Sequence, residues 1–232
     1  MRCNERRMFA TLLPYMARRE SRAGLRGILF DWDGTLLDSF HADSQAFLGM
    51  FREMGIAWGM EELQRHYSPD WYRMYRVARL PRSRWEEADS IWGRHYRKSK
   101  PQLLPGARRV LSALAGRYEL GLVTSGDRLR VGRQLEQFRL TKTFAARICG
   151  GDTRRRKPHP EPLLAALQHM RIEPEATVYV GDAPEDIEMA RRAKVRVIAV
   201  LGPFPTEKRL RAAKPEFILR SIEDLPKLLK SL

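Results

Sequence analysis

Asp31-Trp32-Asp33-Gly34-Thr35 follows directly on the apolar run Gly27-Ile28-Leu29-Phe30. That run is too short for a helix and rich in large apolar side chains, which predicts a buried strand. Two carboxylates at i and i+2 beyond such a strand are costly in dry surroundings unless a cation or hydrogen bonds compensate them. At the carboxyl end of a strand in an open α/β sheet they stand where ligands bind. Asp33-Gly34 alone would be an ordinary turn.

Three later apolar runs end in residues of matching chemistry. Residues 119–123 lead into Thr124-Ser125-Gly126. Residues 144–149 lead into Gly150-Gly151-Asp152 and, a little further on, Lys157-Pro158. Residues 176–180 lead into Gly181-Asp182, with Asp186 at i, i+4 from Asp182. In a parallel sheet these ends are neighbours. Hydroxyls, backbone amides, one lysine and the four carboxylates of Asp31, Asp33, Asp182 and Asp186 are what a phosphate-plus-magnesium site demands. Like charges about 4 Å apart cost roughly 4 kcal/mol per pair at an effective dielectric near 20. Four carboxylates and a phosphomonoester therefore need compensation, which Mg²⁺ and the Lys157 ammonium would supply. Hard oxygen ligands suit Mg²⁺.

The elements that must position these groups fall into two patterns. Residues 39–100 read as helical, with Ala46, Phe47, Met50, Phe51 and Met54, then Trp85, Ala88, Ile91 and Trp92, at three- and four-residue spacing. Pro69, Pro81 and Pro101 punctuate this stretch, and no strand is expected in it. From residue 104 onward short apolar strands alternate with amphipathic helices. Alternation of this kind implies crossover connections and a mostly parallel, doubly wound α/β sheet covered on both faces. Right-handed crossovers leave the carboxyl ends of its strands on one edge. The expected division is a basic arm over 1–24, a core from 25–38 and 101–232, and an all-helical insert over 39–100.

A chain of 232 residues with 43% hydrophobic and 31% charged residues is that of a soluble globular protein. No apolar stretch approaches the roughly 18–20 residues that span a membrane. The opening segment is interrupted by Pro14 and runs into Arg18-Arg19-Glu20, which does not read as an export signal. Cys3 and Cys149 form neither a metal spacing nor a disulfide framework, so a reduced cytoplasm is expected. The five histidines form no HExxH pair. The net charge of +15 is spread, with seven basic against two acidic residues in 1–26 and 25 against 15 in 101–232. Such a surface steers anionic metabolites; it marks no single recognition element, and nucleic acid is not the expected partner.

Asp31-Trp-Asp33-Gly-Thr35, Thr124-Ser125, Lys157-Pro158 and Gly181-Asp182-Ala-Pro-Glu-Asp186 resemble the four motifs of the haloacid dehalogenase-like hydrolase superfamily. Their order matches as well: first strand, helical cap, then Rossmann-like core. The resemblance runs from about Leu25 to the C-terminus and is nearest to phosphoglycolate phosphatase-like members. It implies Asp31 as nucleophile, forming an aspartyl-phosphate, and Asp33 as general acid and then base. It implies Thr124 and Ser125 as holders of the phosphoryl oxygens, with Lys157 neutralising nucleophile and phosphate. Asp31, Asp33 (through its backbone carbonyl) and Asp182 would ligate Mg²⁺, with Asp186 orienting a metal-bound water or Lys157, or ligating directly. Dehalogenating members lack the second acid, so Asp33 favours phosphoryl transfer. The expected activity is hydrolysis of a small phosphorylated metabolite. The alternatives are a β-phosphoglucomutase-like phosphotransferase and a non-enzymatic basic binding protein on the same fold. The cap aromatics, among them Trp58, Tyr67, Trp71, Tyr72, Tyr75, Trp85, Trp92 and Tyr96, read as core at helical spacing. Arg73 and Arg76 are the expected anchors for a second anionic group, while Lys98 and Lys100 sit poorly for imine chemistry.

Overall fold

The computed structural model describes residues 24–68 and 70–232. The arm expected over 1–24 therefore lies, but for Gly24, outside the described residues. All four residues of β1, Gly27–Phe30, are buried. The pleat sends alternate side chains to opposite faces, so Ile28 and Phe30 enter one apolar core and Leu29 another.

A two-residue strand, β2 (Leu37–Asp38), precedes four helices: α1 (Phe40–Glu53), α2 (Met60–His66), α3 (Trp71–Val77) and α4 (Trp85–Tyr96). The chain returns through β3 (Gln102–Leu103), antiparallel to β2. The helices thus hang from a short two-stranded neck. They bury a core of their own from Phe47, Met50, Phe51, Leu63, Met74 and Ala88, the helical-period residues of the sequence.

Beyond the neck, helices and strands alternate as α5 (Ala107–Ala115), β4 (Glu119–Asp127), α6 (Arg128–Gln137), β5 (Ala146–Gly150) and α7 (Glu161–Met170). They continue as β6 (Thr177–Gly181), α8 (Pro184–Arg192), β7 (Arg196–Val200), α9 (Glu207–Ala212), β8 (Phe217–Leu219) and α10 (Leu225–Leu229). The six long-range strands lie in the order β5-β4-β1-β6-β7-β8, every pair parallel. This is a Rossmann-like, doubly wound α/β core with a helical insert. No helix among the described residues is long and apolar enough to cross a membrane.

Two boundaries differ from expectation. β4 runs past Thr124 to Asp127, whose side chain accepts from the N–H groups of Leu129 and Arg130, both at 3.0 Å, and so starts α6. The last helix, for which the sequence suggests a start at Ser221, begins instead at Leu225, after the Ser221 hydroxyl caps a 3₁₀ turn over Ile222–Asp224.

The central position of β1 makes it the stability anchor of both cores. Leu29→Ala is expected to cost about 2–5 kcal/mol by urea unfolding; a loss below about 1 kcal/mol would show that this face is loosely packed.

Candidate active site

The strand order sets the exits of β4, β1 and β6 side by side, and the predicted residues meet there. Asp31 leaves β1 with its N–H donating to Val180 O at 2.9 Å. Its Oδ1 lies 2.8 Å from Lys157 Nζ. The same ammonium lies 2.8 Å from Asp186 Oδ1 and donates to Tyr179 Oη at 2.8 Å. The lysine thus donates hydrogen bonds to Tyr179 and Asp186 and pairs with Asp31 by charge. Tyr179 Oη donates in turn to Val123 O at 2.8 Å, fixing the group from below. Asp186 Oδ2 accepts from the Ala183 N–H at 3.0 Å, which seats this carboxylate in the first turn of α8, where the helix dipole favours it.

Asp182 completes the cluster. Its Oδ1 accepts from the Thr35 hydroxyl at 2.9 Å, and its backbone carbonyl accepts from Thr206 Oγ1 at 2.8 Å. Carboxylate oxygens of Asp31, Asp182 and Asp186 all lie within 4.8 Å of one another, and all three residues are buried. Gly34 turns the chain at φ 83°, and a Cβ there would stand 2.2 Å from Asp182 Oδ2. Only glycine therefore permits both the turn and the close approach.

The charges do not balance internally. Burial pushes the Asp31 carboxyl up to about 7, against the pull of Lys157 and with the push of Asp186. Burial, then Asp31 and Asp186, hold Asp182 well above the ordinary carboxylate range. Burial also opposes charge on Lys157, yet Asp186 and Asp31 outweigh it and hold the ammonium above its usual range. Three hard oxygen ligands, two of them paired with one lysine, form a donor set that fits a divalent cation such as Mg²⁺.

Asp33 points elsewhere. Its two oxygens accept from Arg130 Nη1 and Nη2 at 2.9 and 2.7 Å, a bidentate pair. Burial works to raise its pKa, but Arg130 outweighs this and holds Asp33 below the ordinary range. Its carboxylate stands outside the cluster of three. Thr124 is buried, and its Oγ1 accepts from the Gly126 N–H at 3.0 Å, leaving its own hydrogen free to donate. Thr124, Ser125 and Gly126 line a cavity of about 470 Å³ shared with Asp31, Asp33 and Asp182.

Arg73 and Arg76 are not the anion anchors expected of them. Both are exposed and neither lines the cavity, and Arg76 pairs with Asp70 at 3.2 Å. They fall on the outer side of α3, where Met74 and Tyr75 take the inner side. Lys98 and Lys100 are also absent from the wall. The insert's aromatics divide more evenly than expected. Trp58 and Trp85 pack against the insert's core, whereas Tyr67, Trp71, Tyr72, Tyr75, Trp92 and Tyr96 also line the cavity.

Arg130 and Tyr179 are the functional residues that sequence reasoning missed. Arg130 lies in the first turn of α6, directly after a strand exit already singled out, and that position was the available signal. Its guanidinium also lies over the Tyr96 ring, 5.0 Å from the centroid. Arg156, next to Lys157, stacks over Trp71 and Tyr72 at 4.7 and 4.8 Å. Both arginines tie the core to the insert.

The family model of the haloacid dehalogenase-like hydrolases matches residues 28–200. A pyrophosphatase PpaX of Oceanobacillus iheyensis is 28% identical over 205 residues, covering 87% of this chain and 95% of the relative. A phosphoglycolate phosphatase of Escherichia coli is 27% identical over 230 residues, covering 87% and 91%. Among solved structures, a haloacid dehalogenase-like family hydrolase of Streptococcus pneumoniae superposes with a TM-score of 0.77 at 22% identity, covering 88% of this chain and 98% of its own. The chain belongs to the haloacid dehalogenase-like hydrolase family. It is an enzyme, a phosphatase of that family.

The uncompensated carboxyls give a test by stability. Asp31 and Asp182 keep protons in the folded state that the unfolded chain releases from about pH 4 upward. Asp31 therefore lowers stability progressively as pH rises from about 4 to 7, a cost that persists above, and Asp182 acts in the same direction. In calorimetry the Tm gain from Mg²⁺ is expected to be larger at pH 8 than at pH 5. An equal or smaller gain at pH 8 contradicts this reading of the cluster.

Proposed function

We propose that this phosphatase is magnesium-dependent and hydrolyses a small phosphorylated metabolite through an aspartyl-phosphate on Asp31. The observation that carries the reading is Asp31 itself: a buried carboxylate 2.8 Å from Lys157, grouped with Asp182 and Asp186 and lining the cavity together with Asp182. A pyrophosphatase and a phosphoglycolate phosphatase among the relatives support it.

An Asp31 oxygen attacks phosphorus, and the ester bond to the leaving alcohol breaks. Asp33 gives the departing oxygen its proton. Water then attacks the aspartyl-phosphate, Asp33 takes that proton, and inorganic phosphate leaves. Lys157 neutralises charge on nucleophile and phosphoryl group, while Thr124 and Ser125 hold phosphoryl oxygens. The Arg130 pair keeps Asp33 ionised, which suits the second step; proton donation in the first requires Arg130 to give up one oxygen. Asp31, Asp182, Asp186 and the Asp33 carbonyl would hold Mg²⁺, which supplies charge compensation for the phosphoryl oxygens.

In this reading residues 39–100 act as a cap over a core formed by 25–38 and 101–232, closing to exclude bulk water. The basic surface steers anionic substrates and serves no nucleic acid. The enzyme works in the cytoplasm, where a buried, unpaired Cys149 stays reduced.

Release of inorganic phosphate from p-nitrophenyl phosphate is expected to require Mg²⁺, to vanish on chelation and to return when Mg²⁺ is restored. Asp31→Asn is expected to fall to background, and Asp33→Asn to lose roughly 10²–10⁴-fold in kcat. Activity surviving Asp31→Asn would end the mechanism; phosphate transferred to a sugar phosphate instead of released would favour the phosphotransferase.

A further inference from the structure

The cavity above Asp31 is larger than phosphoryl transfer needs. Its roughly 470 Å³ falls within the range of pockets that enclose drug-sized molecules. A phosphoryl group takes a small share of this volume. The surplus lies toward the insert, where the walls are Tyr67, Trp71, Tyr72, Tyr75, Trp92 and Tyr96. Tyr75 and Tyr96 are only 1% and 5% exposed, so the cavity penetrates the insert rather than skirting its surface.

Carboxylate acceptors lie among these rings, beside the indole N–H groups of Trp71 and Trp92. Asp89 accepts from Tyr75 Oη at 2.9 Å and from Tyr72 Oη at 3.4 Å. Asp43, from the first turn of α1, lines the same chamber. Both carboxylates are half-buried, whereas Arg97 and Arg133, which also line the cavity, are exposed at its rim. Arg156 has its guanidinium stacked on Trp71 and Tyr72 and lies close enough to Asp89 to act on its charge. Arg97 and Arg133 thus stand at the entrance, and Arg130, the buried cation of the wall, is already paired with both oxygens of Asp33; ring surface with carboxylate oxygens lies within. A leaving group carrying a second anion would face Asp43 and Asp89. A ring carrying N–H or O–H donors would find both apolar wall and acceptors.

We propose that the substrate's leaving group is a planar unsaturated ring bearing hydrogen-bond donors, an amino-aryl or N–H heterocyclic alcohol, housed inside the insert. This rests on the phosphomonoesterase reading above and narrows its substrate class. It sets the enzyme apart from relatives named for phosphoglycolate and pyrophosphate, whose reacting molecules carry a second anion and no ring.

Ethyl phosphate, 2-phenylethyl phosphate and 2-(4-aminophenyl)ethyl phosphate are primary alkyl esters of similar leaving-group reactivity, so differences among them report on the ring and its donor. With wild-type enzyme and Mg²⁺, kcat/KM is expected to rise roughly 10- to 100-fold from the ethyl to the phenylethyl ester, as burial of one phenyl ring implies. The amino group is expected to add about 5- to 10-fold, and that second gain to shrink below about twofold in Asp89→Asn. Phosphoglycolate and pyrophosphate are expected to fall below both aryl esters. Equal or better use of ethyl phosphate, phosphoglycolate or pyrophosphate overturns the assignment and leaves the phosphatase reading intact. Calorimetric titration of Asp31→Asn with the same three esters reads the pocket without turnover. Tighter binding of the aryl esters there, with none of the esters hydrolysed by the wild type, would support the pocket and sink the phosphatase reading instead. Equal binding of all three sinks the pocket.

Discussion

A single buried ammonium shared between two aspartates organises this molecule. Lys157 Nζ stands 2.8 Å from both Asp31 and Asp186, in a position where an unpaired charge of either sign would be several kcal/mol too costly. The geometry comes from strand exits lying side by side in a parallel sheet and from backbone that can come close. A Cβ at Gly202 would stand 2.3 Å from the carbonyl oxygen of Gly34, so even the loop after β7 must pass the first motif as bare main chain. One lysine cannot neutralise three carboxylates. The remaining deficit is what a divalent cation would compensate in the proposed mechanism.

The insert is coupled to that edge by cations of the core. Arg130 joins Asp33 to the Tyr96 ring, and Arg156 joins the Lys157 loop to Trp71 and Tyr72. On the third side Tyr67 stacks on Phe204 at 4.7 Å, Arg209 donates to Tyr67 O at 2.8 Å, and Ser68 donates to Glu185. These contacts surround the cavity, so a displacement of the helices alters the setting of Asp33 and of the lysine loop together. In the proposed mechanism the same set of contacts would bear on both substrate size and the chemical step.

Much of this was legible in the residues. The parallel sheet followed from short apolar runs alternating with amphipathic helices; Asp31, Thr124 and Asp182 stood out just past those runs, and Lys157 by its pairing with Pro158 a little further on. Arg130 did not, because its role is set by Asp33, 97 positions away in sequence, and one arginine among 43 basic residues carries no local mark. Tyr179 alternates with Val178 and Val180 along β6 and reads as core; its ring is core, while its hydroxyl meets Lys157. The same double use explains the insert's aromatics. Helical spacing shows that a ring faces inward, but not that the interior it faces contains a chamber. Arg73 and Arg76 failed for the converse reason: proximity to tyrosines in sequence placed them one step around the helix from the wall.

The most direct test is to find where the phosphoryl group rests during turnover. Enzyme mixed with Mg²⁺ and a phosphomonoester, quenched in acid within milliseconds and mapped by peptide mass spectrometry, is expected to carry one phosphoryl group, on Asp31. A label on Asp33, on a histidine or on a hydroxyl side chain, or none at any time while phosphate is being released, would contradict the account.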